Sequence, residues 1–242
     1  MEWVDDAIVL HVRPHGETSA VLEVLARGHG RHLGLVRGGR SRRLRPLLQT
    51  GNLLRVEWRA RLAEQLGFFV AELGEPFAAR ALDDRLALAG LGTVTSLASL
   101  LPERDPHPAL FDMALLMQRH LEEPELWPQL LVRWELLLLS ELGFGLDLQS
   151  CAATGTRDDL IYVSPKSGRA VSAEAGKPYA HQLLPLPAFL RTAGAMAGSS
   201  AAIADGLRLT GFFLARHVLE PRGLHLPDAR AAIVQRLQAA GP

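Results

Sequence analysis

Hydrophobic periodicity changes once along this chain, and the change limits the folds open to it. Up to about residue 75 apolar and polar residues alternate, the period of half-buried strands. Ile8, Leu10 and Val12 share one face of a first segment that stops at Arg13-Pro-His-Gly16. Ala20, Leu22, Val24 and Ala26 form a second, closed by Gly28-His-Gly30, and Leu33 and Leu35 mark a third. Leu54, Val56 and Trp58 alternate with Arg55, Glu57 and Arg59 in a fourth, and residues 66–73, with Phe68 and Phe69, make a fifth. Five short strands with tight glycine-containing connections predict a small closed β-barrel, and the OB-type barrel is the commonest five-stranded one that holds nucleic acid.

After Gly74-Glu-Pro-Phe77 the apolar positions recur at helical spacing. Leu110, Ala114, Met117 and Leu121 line one helix, and Leu130, Trp134, Leu137 and Glu141 follow the same rule until Gly143. Residues 136–139 are apolar all round and belong in a core, as does most of 202–219. Ala229, Ile233 and Leu237 form a last amphipathic helix after Leu226-Pro-Asp228, and Pro102, Pro106, Pro108, Pro124 and Pro128 fall near helix starts. Between Gly143 and Pro187 the pattern is irregular, with a short hairpin from Ile161-Tyr-Val163 and Ala170-Val171. The predicted fold class is α+β: a barrel domain over 1–78, then a helical domain over 79–242.

Charge is distributed as unevenly as hydrophobicity. The whole chain is formally neutral, yet Arg13 to Arg61 holds eleven arginines against Glu17, Glu23 and Glu57. From Ala81 onward 14 basic residues face 17 acidic ones. The basic excess peaks in Arg37-Gly-Gly-Arg-Ser-Arg-Arg-Leu-Arg45, read as the tip of a β-connection. A solvated surface run needs only charge, which lysine supplies as well. Arginine alone, forked to match phosphate oxygens and placed beside Gly38 and Gly39, points to polyanion binding by Arg37, Arg40, Arg42, Arg43 and Arg45, extended by Arg55, Arg59 and Arg61. Aromatics among arginines add base stacking in single-strand binders. Trp58 is in phase with Leu54 and Val56 and so belongs to the core, whereas one of Phe68 and Phe69 faces outward, and the sequence leaves open which.

No catalytic constellation is present. Nine histidines are scattered without the zinc-protease spacing, and His11, His15, His29 and His32 read as surface residues. Gly176-Lys177 runs into Pro178 and fails the phosphate-loop pattern, and Asp158-Asp159 is a common acidic turn. Cys151 is the only cysteine, so an intramolecular disulfide is excluded. The acidic start, Met1-Glu-Trp-Val-Asp-Asp6, lacks the pattern of a secretory signal, and no apolar run approaches the roughly 20 residues of a membrane span. The expectation is a soluble cytoplasmic protein that needs no cofactor.

Four segments in fixed order carry a resemblance: Leu142-Gly-Phe-Gly-Leu-Asp-Leu148, Cys151-Ala-Ala-Thr-Gly155, Tyr162-Val-Ser-Pro-Lys-Ser-Gly-Arg-Ala-Val-Ser172 and Leu184-Pro-Leu-Pro-Ala-Phe-Leu190. With the Gly-Gly-Arg-Ser-Arg run at 38–42, they resemble the bacterial RecO family of DNA repair proteins over essentially the whole chain. The resemblance implies an N-terminal OB-fold and a helical C-terminal domain with an inserted hairpin knob, here at about 147–182. It implies a non-enzymatic recombination mediator of the RecF pathway, nucleoid-associated. Such a protein binds single- and double-stranded DNA, anneals complementary strands and helps RecA replace the single-strand binding protein SSB. Its implied partners are RecR, RecF, RecA and the acidic C-terminal tail of SSB. The family's DNA contacts map to Arg37, Arg40, Arg42, Arg43 and Arg45.

The sequence departs from the family at the knob, where many members hold zinc by two Cys-x-x-Cys pairs. Cys151 matches the first ligand, but Thr154 stands at the second and the later pair falls around Val171 and Glu174, so no metal is expected and the knob is a degenerate zinc finger. Packing of Tyr162, Val163, Val171 and Tyr179 is expected to hold it instead. For the SSB tail, an apolar slot rimmed by a cation is needed, and Arg119 and Arg133 are the candidates. An RNA-binding barrel in translation or RNA decay is the alternative that the arginine loop leaves open.

Overall fold

The computed structural model describes residues 1–62, 64–192 and 194–239. Compactness divides the chain into two units, Met1–Glu122 and Glu123–Pro242.

Strands β1 (Glu2–His15), β2 (Ser19–Ala26), β3 (Gly30–Val36), β4 (Leu53–Arg59) and β5 (Phe68–Glu75) close a barrel in the order β1-β2-β3-β5-β4. Every pairing is antiparallel except β3 with β5, which meet in parallel at the single register pair Leu35 and Phe68. This is the OB-fold connectivity expected from the sequence. Ala7, Val9, Leu22, Val24, Ala26, Val36, Leu54, Val56, Trp58 and Phe69 fill the interior.

Two strand phases differ from the sequence reading. A bulge between Val9 and His11 adds a residue to β1, so Ala7 and Val9 point inward and Val12 packs with them, while Ile8 and Leu10 are buried on the opposite face. On β3 the buried positions are Gly30, His32, Gly34 and Val36, and Arg31, Leu33 and Leu35 are half-buried between them. Gly34 is small because Phe69 occupies its space: a Cβ there would lie 2.5 Å from the ring. His32, expected at the surface, lies inside, edge-on to Trp3 and Trp58.

Helices α1 (Phe77–Arg80), α2 (Arg85–Ala98) and α3 (Pro108–Arg119) belong to the same compact unit as the barrel, although the sequence reading begins the helical domain at 79. Asp84 caps α2 by accepting from the Leu86 and Ala87 amides. Gly30, at φ 67°, lets the Asp105 backbone press on the β2–β3 turn, where a Cβ would overlap it. Arg27 grips Asp112 of α3 through two hydrogen bonds of 2.8 and 2.9 Å; their pairing raises the guanidinium pKa and lowers the carboxyl.

In the second unit, α4 (Trp127–Glu141) packs on α6 (Ser200–Phe213), which continues as a π-helical turn over Leu214–Leu219, and α7 (Asp228–Ala239) packs on α6. The buried face of α4 runs through Trp127, Leu131, Trp134, Glu135 and Leu138, so Leu130 and Leu137 are half-buried and Glu141 is exposed. Glu135, Arg230 and Thr210 form a buried network. Arg230 donates to both Glu135 carboxylate oxygens at 2.7 and 3.0 Å and to the Leu207 carbonyl, while the Thr210 hydroxyl donates to Glu135.

The expected knob is a three-stranded sheet in the order β7-β6-β8, from β6 (Leu160–Val163), β7 (Ala170–Ser172) and β8 (Leu184–Pro185), with α5 (Ala173–Gly176) after β7. Leu160, Val163, Val171 and Leu186 are buried there, and Tyr162 lies over Gly176. Tyr179, expected in this packing, is exposed on a 3-10 turn.

Candidate nucleic-acid interface

The arginine run belongs to the connection over 37–52, which carries the chain from β3 to β4. These strands are not neighbours in the barrel, so the run is a crossover loop rather than a hairpin tip. Its apolar residues anchor it: Leu48 is part of the barrel core, and Leu44 and Leu47 pack against that core. Buried Asn52 donates to the Pro46 and Leu47 carbonyls at 3.2 and 3.1 Å and accepts from the Ala78 amide at 3.0 Å. The Ser41 hydroxyl accepts from the Leu44 amide, and the Arg45 amide bonds the Ser41 carbonyl, giving the middle of the loop a helical turn. Gly38, at φ 67°, supplies the left-handed bend leaving β3.

With the leucines pointing inward, Arg37, Arg40, Arg42, Arg43 and Arg45 are all exposed. None of them is ion-paired among the described residues. Arg40 donates to the Gly16 carbonyl at 2.8 Å, tying the loop to the β1–β2 turn. Arg37 lies over the Phe68 ring, its guanidinium carbon 4.4 Å from the centroid. Four other arginines of the barrel are ion-paired, and Arg13 on β1 is exposed with no ion pair among the described residues. Arg31 reaches Glu23 at 2.6 Å and Arg27 holds Asp112. Arg55 pairs with Asp6 at 3.0 Å, and Arg59 with Glu57 and Glu2. Of the strand arginines expected to extend the surface, Arg55 and Arg59 are thus neutralised in place. Arg61 is exposed with no ion pair among the described residues.

The question left between Phe68 and Phe69 is settled by phase: Phe69 is buried and Phe68 is 42% exposed. Trp58 is a core residue whose indole N–H donates to the Leu66 carbonyl at 3.0 Å.

Arg119 and Arg133 occupy different units, and both are engaged. Arg119 donates to Glu75 at 3.0 and 2.8 Å. Arg133 donates to the Phe189 and Ala195 carbonyls, each at 2.6 Å, and its burial lowers the guanidinium pKa.

Around Cys151 the residues are hydroxylic rather than thiolic. Its sulfur accepts from the Ser172 amide at 3.3 Å and lies 3.5 Å from the Ser172 hydroxyl. Burial opposes ionisation of this thiol, but hydrogen bonds from Ser172 and Thr154 outweigh it and bring the pKa to about 6. One thiolate among two hydroxyls does not make the Cys₄ set of a structural zinc site, so these residues do not fit that metal. Among the described residues, no group of three or more His, Cys, Asp or Glu side chains is placed to hold a metal ion. Asp158 is exposed and Asp159 takes a left-handed turn at φ 48°. Among the described residues no helix is long and apolar enough to cross a membrane.

Comparison with known proteins agrees with this architecture. The family model Recombination protein O N terminal matches residues 1–77, and Recombination protein O C terminal matches residues 82–225. A DNA repair protein RecO from Mesorhizobium japonicum is 56% identical over 238 residues, covering 98% of this chain and 94% of that protein. DNA repair protein RecO from Methylorubrum extorquens is 53% identical over 97% of both chains, and that of Rhizobium etli is 54% identical over all of this chain and 95% of its own. A closed OB barrel, a helical unit with its knob, and identity running the full length lead to one conclusion: the chain belongs to the RecO family of DNA repair and recombination proteins.

Proposed function

We propose that this chain is a non-enzymatic recombination mediator that grips single- and double-stranded DNA by its phosphates, anneals complementary strands and, with RecR, helps load RecA onto SSB-coated strands. One observation carries the reading. Among the described residues the five arginines of the 37–45 loop stand exposed without carboxylate partners, while Arg27, Arg31, Arg55 and Arg59 of the same barrel are ion-paired. Unpaired guanidinium groups on an anchored loop are free to bind phosphate oxygens in forked geometry. They screen repulsion between two approaching backbones without reading sequence. Arg61 extends this surface, and Arg55 and Arg59 join it by exchanging their carboxylates for phosphates.

For the SSB tail, exposed Arg119 is the better cation, because a tail carboxylate can replace Glu75 on its fork. Arg133 has one guanidinium nitrogen committed to two backbone carbonyls and supports its own unit. RecF and RecA are further partners on this reading, and its place of action is the nucleoid.

The test is annealing of complementary oligonucleotides coated with SSB, at low salt and with the protein in excess. The wild-type chain should speed annealing, and replacement of all five loop arginines by alanine should slow it by about tenfold or more, whatever the sequence. A wild-type protein that leaves annealing unchanged, or that prefers RNA to DNA of the same sequence, would contradict the proposal.

A further inference from the structure

Strands β3 and β5 touch at one register pair, Leu35 and Phe68, and then diverge. The gap becomes an open groove of about 570 Å³, lined by Val36, Arg37, Arg43, Leu44, Phe68 and Val70 among others. Its walls are apolar, and Phe68 and Val70 lie on the outer face of β5 with Phe69 turned into the core between them. Arg59 lies on the same groove but is satisfied by Glu57 and Glu2. Among the described residues the charges on the groove without an ion pair are Arg37 and Arg43.

We infer that this groove takes an unpaired nucleobase, stacked on Phe68, with the flanking phosphates on Arg37 and Arg43. The inference rests on the nucleic-acid reading above and adds to it a specificity: single strands over duplex. A nucleobase is flat and π-faced, so an exposed phenyl ring accepts any of the four. The Arg37 guanidinium carbon lies over the ring, 4.4 Å from its centroid; the incoming base takes that place and Arg37 shifts to the adjoining phosphate. In a duplex both faces of each base are already covered, and extruding one costs a few kcal/mol. Phosphate contacts alone are available to both forms, so Phe68 is the residue that tells them apart. A second copy docking through this same face is a poorer occupant, because it would set Arg37 and Arg43 against like charges.

The experiment compares wild type, Phe68→Ala and Phe68→Trp in binding to an oligothymidylate, to the same backbone carrying abasic sites, and to a duplex. Phe68→Ala should weaken oligothymidylate binding by roughly 5- to 100-fold. It should leave the duplex and abasic strands within about twofold of wild type, and Phe68→Trp should restore binding, with its added fluorescence quenched by the oligothymidylate but not by the abasic strand. Equal losses on all three ligands, or no loss, would overturn the stacking role while leaving phosphate binding intact. Absence of any salt-sensitive binding by wild type would overturn the nucleic-acid reading as well. A dimer of the full chain that dissociates in Phe68→Ala would assign the groove to self-association and overturn the inference.

Discussion

Among the described residues His32 has no hydrogen-bond partner for either ring nitrogen, although it is only 4% exposed. It faces Trp3, Trp58 and Phe69 edge-on, with His29 nearby stacked on Trp3 and bonded to Asp5. Burial, and secondarily the Arg104 charge, lower its pKa from 6.5 to about 4. The folded protein therefore holds His32 neutral, while the unfolded chain takes up a proton below pH 6.5. Stability from this residue is complete above that pH and is lost as pH falls toward 4. Urea midpoints measured at pH 7 and pH 4 should drop more in wild type than in His32→Phe, which cannot be protonated; parallel drops would contradict the account. From sequence, a histidine beside glycines and Arg31 reads as solvent-facing, because its burial depends on the β3 phase and on Trp3 across the barrel end.

At the scale of elements, the legible parts were those where one pattern ruled alone. β4 alternates cleanly, so Leu54, Val56 and Trp58 were placed correctly in the core. β1 was misphased because a bulge inserts one residue, and β3 because its inward positions are a histidine and a glycine rather than two leucines. The arginine loop is visible as a basic run, but its role as a crossover depends on the β3–β5 pairing, a single contact between Leu35 and Phe68 that lie far apart in sequence. Arg230 was invisible for another reason. An arginine on an amphipathic helix reads as surface, and its partner Glu135 is 95 residues away. That pair ties α4, α6 and α7 together, and Gly211 lies against the guanidinium, where a Cβ would come within 2.8 Å. Removing one member leaves a buried charge uncompensated, so Glu135→Ala should lower stability by about 3–5 kcal/mol in urea denaturation of the full chain. Replacing Glu135 and Arg230 together by leucine and methionine should cost less than the single change. A larger loss in the double variant would show that the ion pair itself, rather than the burden of an orphaned charge, stabilises this unit.

For the whole molecule, a net charge of zero conceals a working asymmetry. Carboxylates neutralise Arg31, Arg55 and Arg59 on the strands, and the crossover loop keeps its positive charge for an external anion. The fold makes this possible by seating Leu44, Leu47 and Leu48 against the barrel, so that charge is displayed on an ordered backbone rather than on a free tail. On this reading the loop neutralises phosphates, and the salt dependence of single-strand binding reads that neutralisation directly. Affinity for an oligothymidylate should be measured over a range of salt concentrations for wild type and for the variant with Arg37, Arg40, Arg42, Arg43 and Arg45 replaced by alanine. If each arginine releases a counterion, the slope of log affinity against log salt should become shallower by about 3.5, from roughly 0.7 per phosphate. Slopes that coincide, with both proteins folded, would contradict the account.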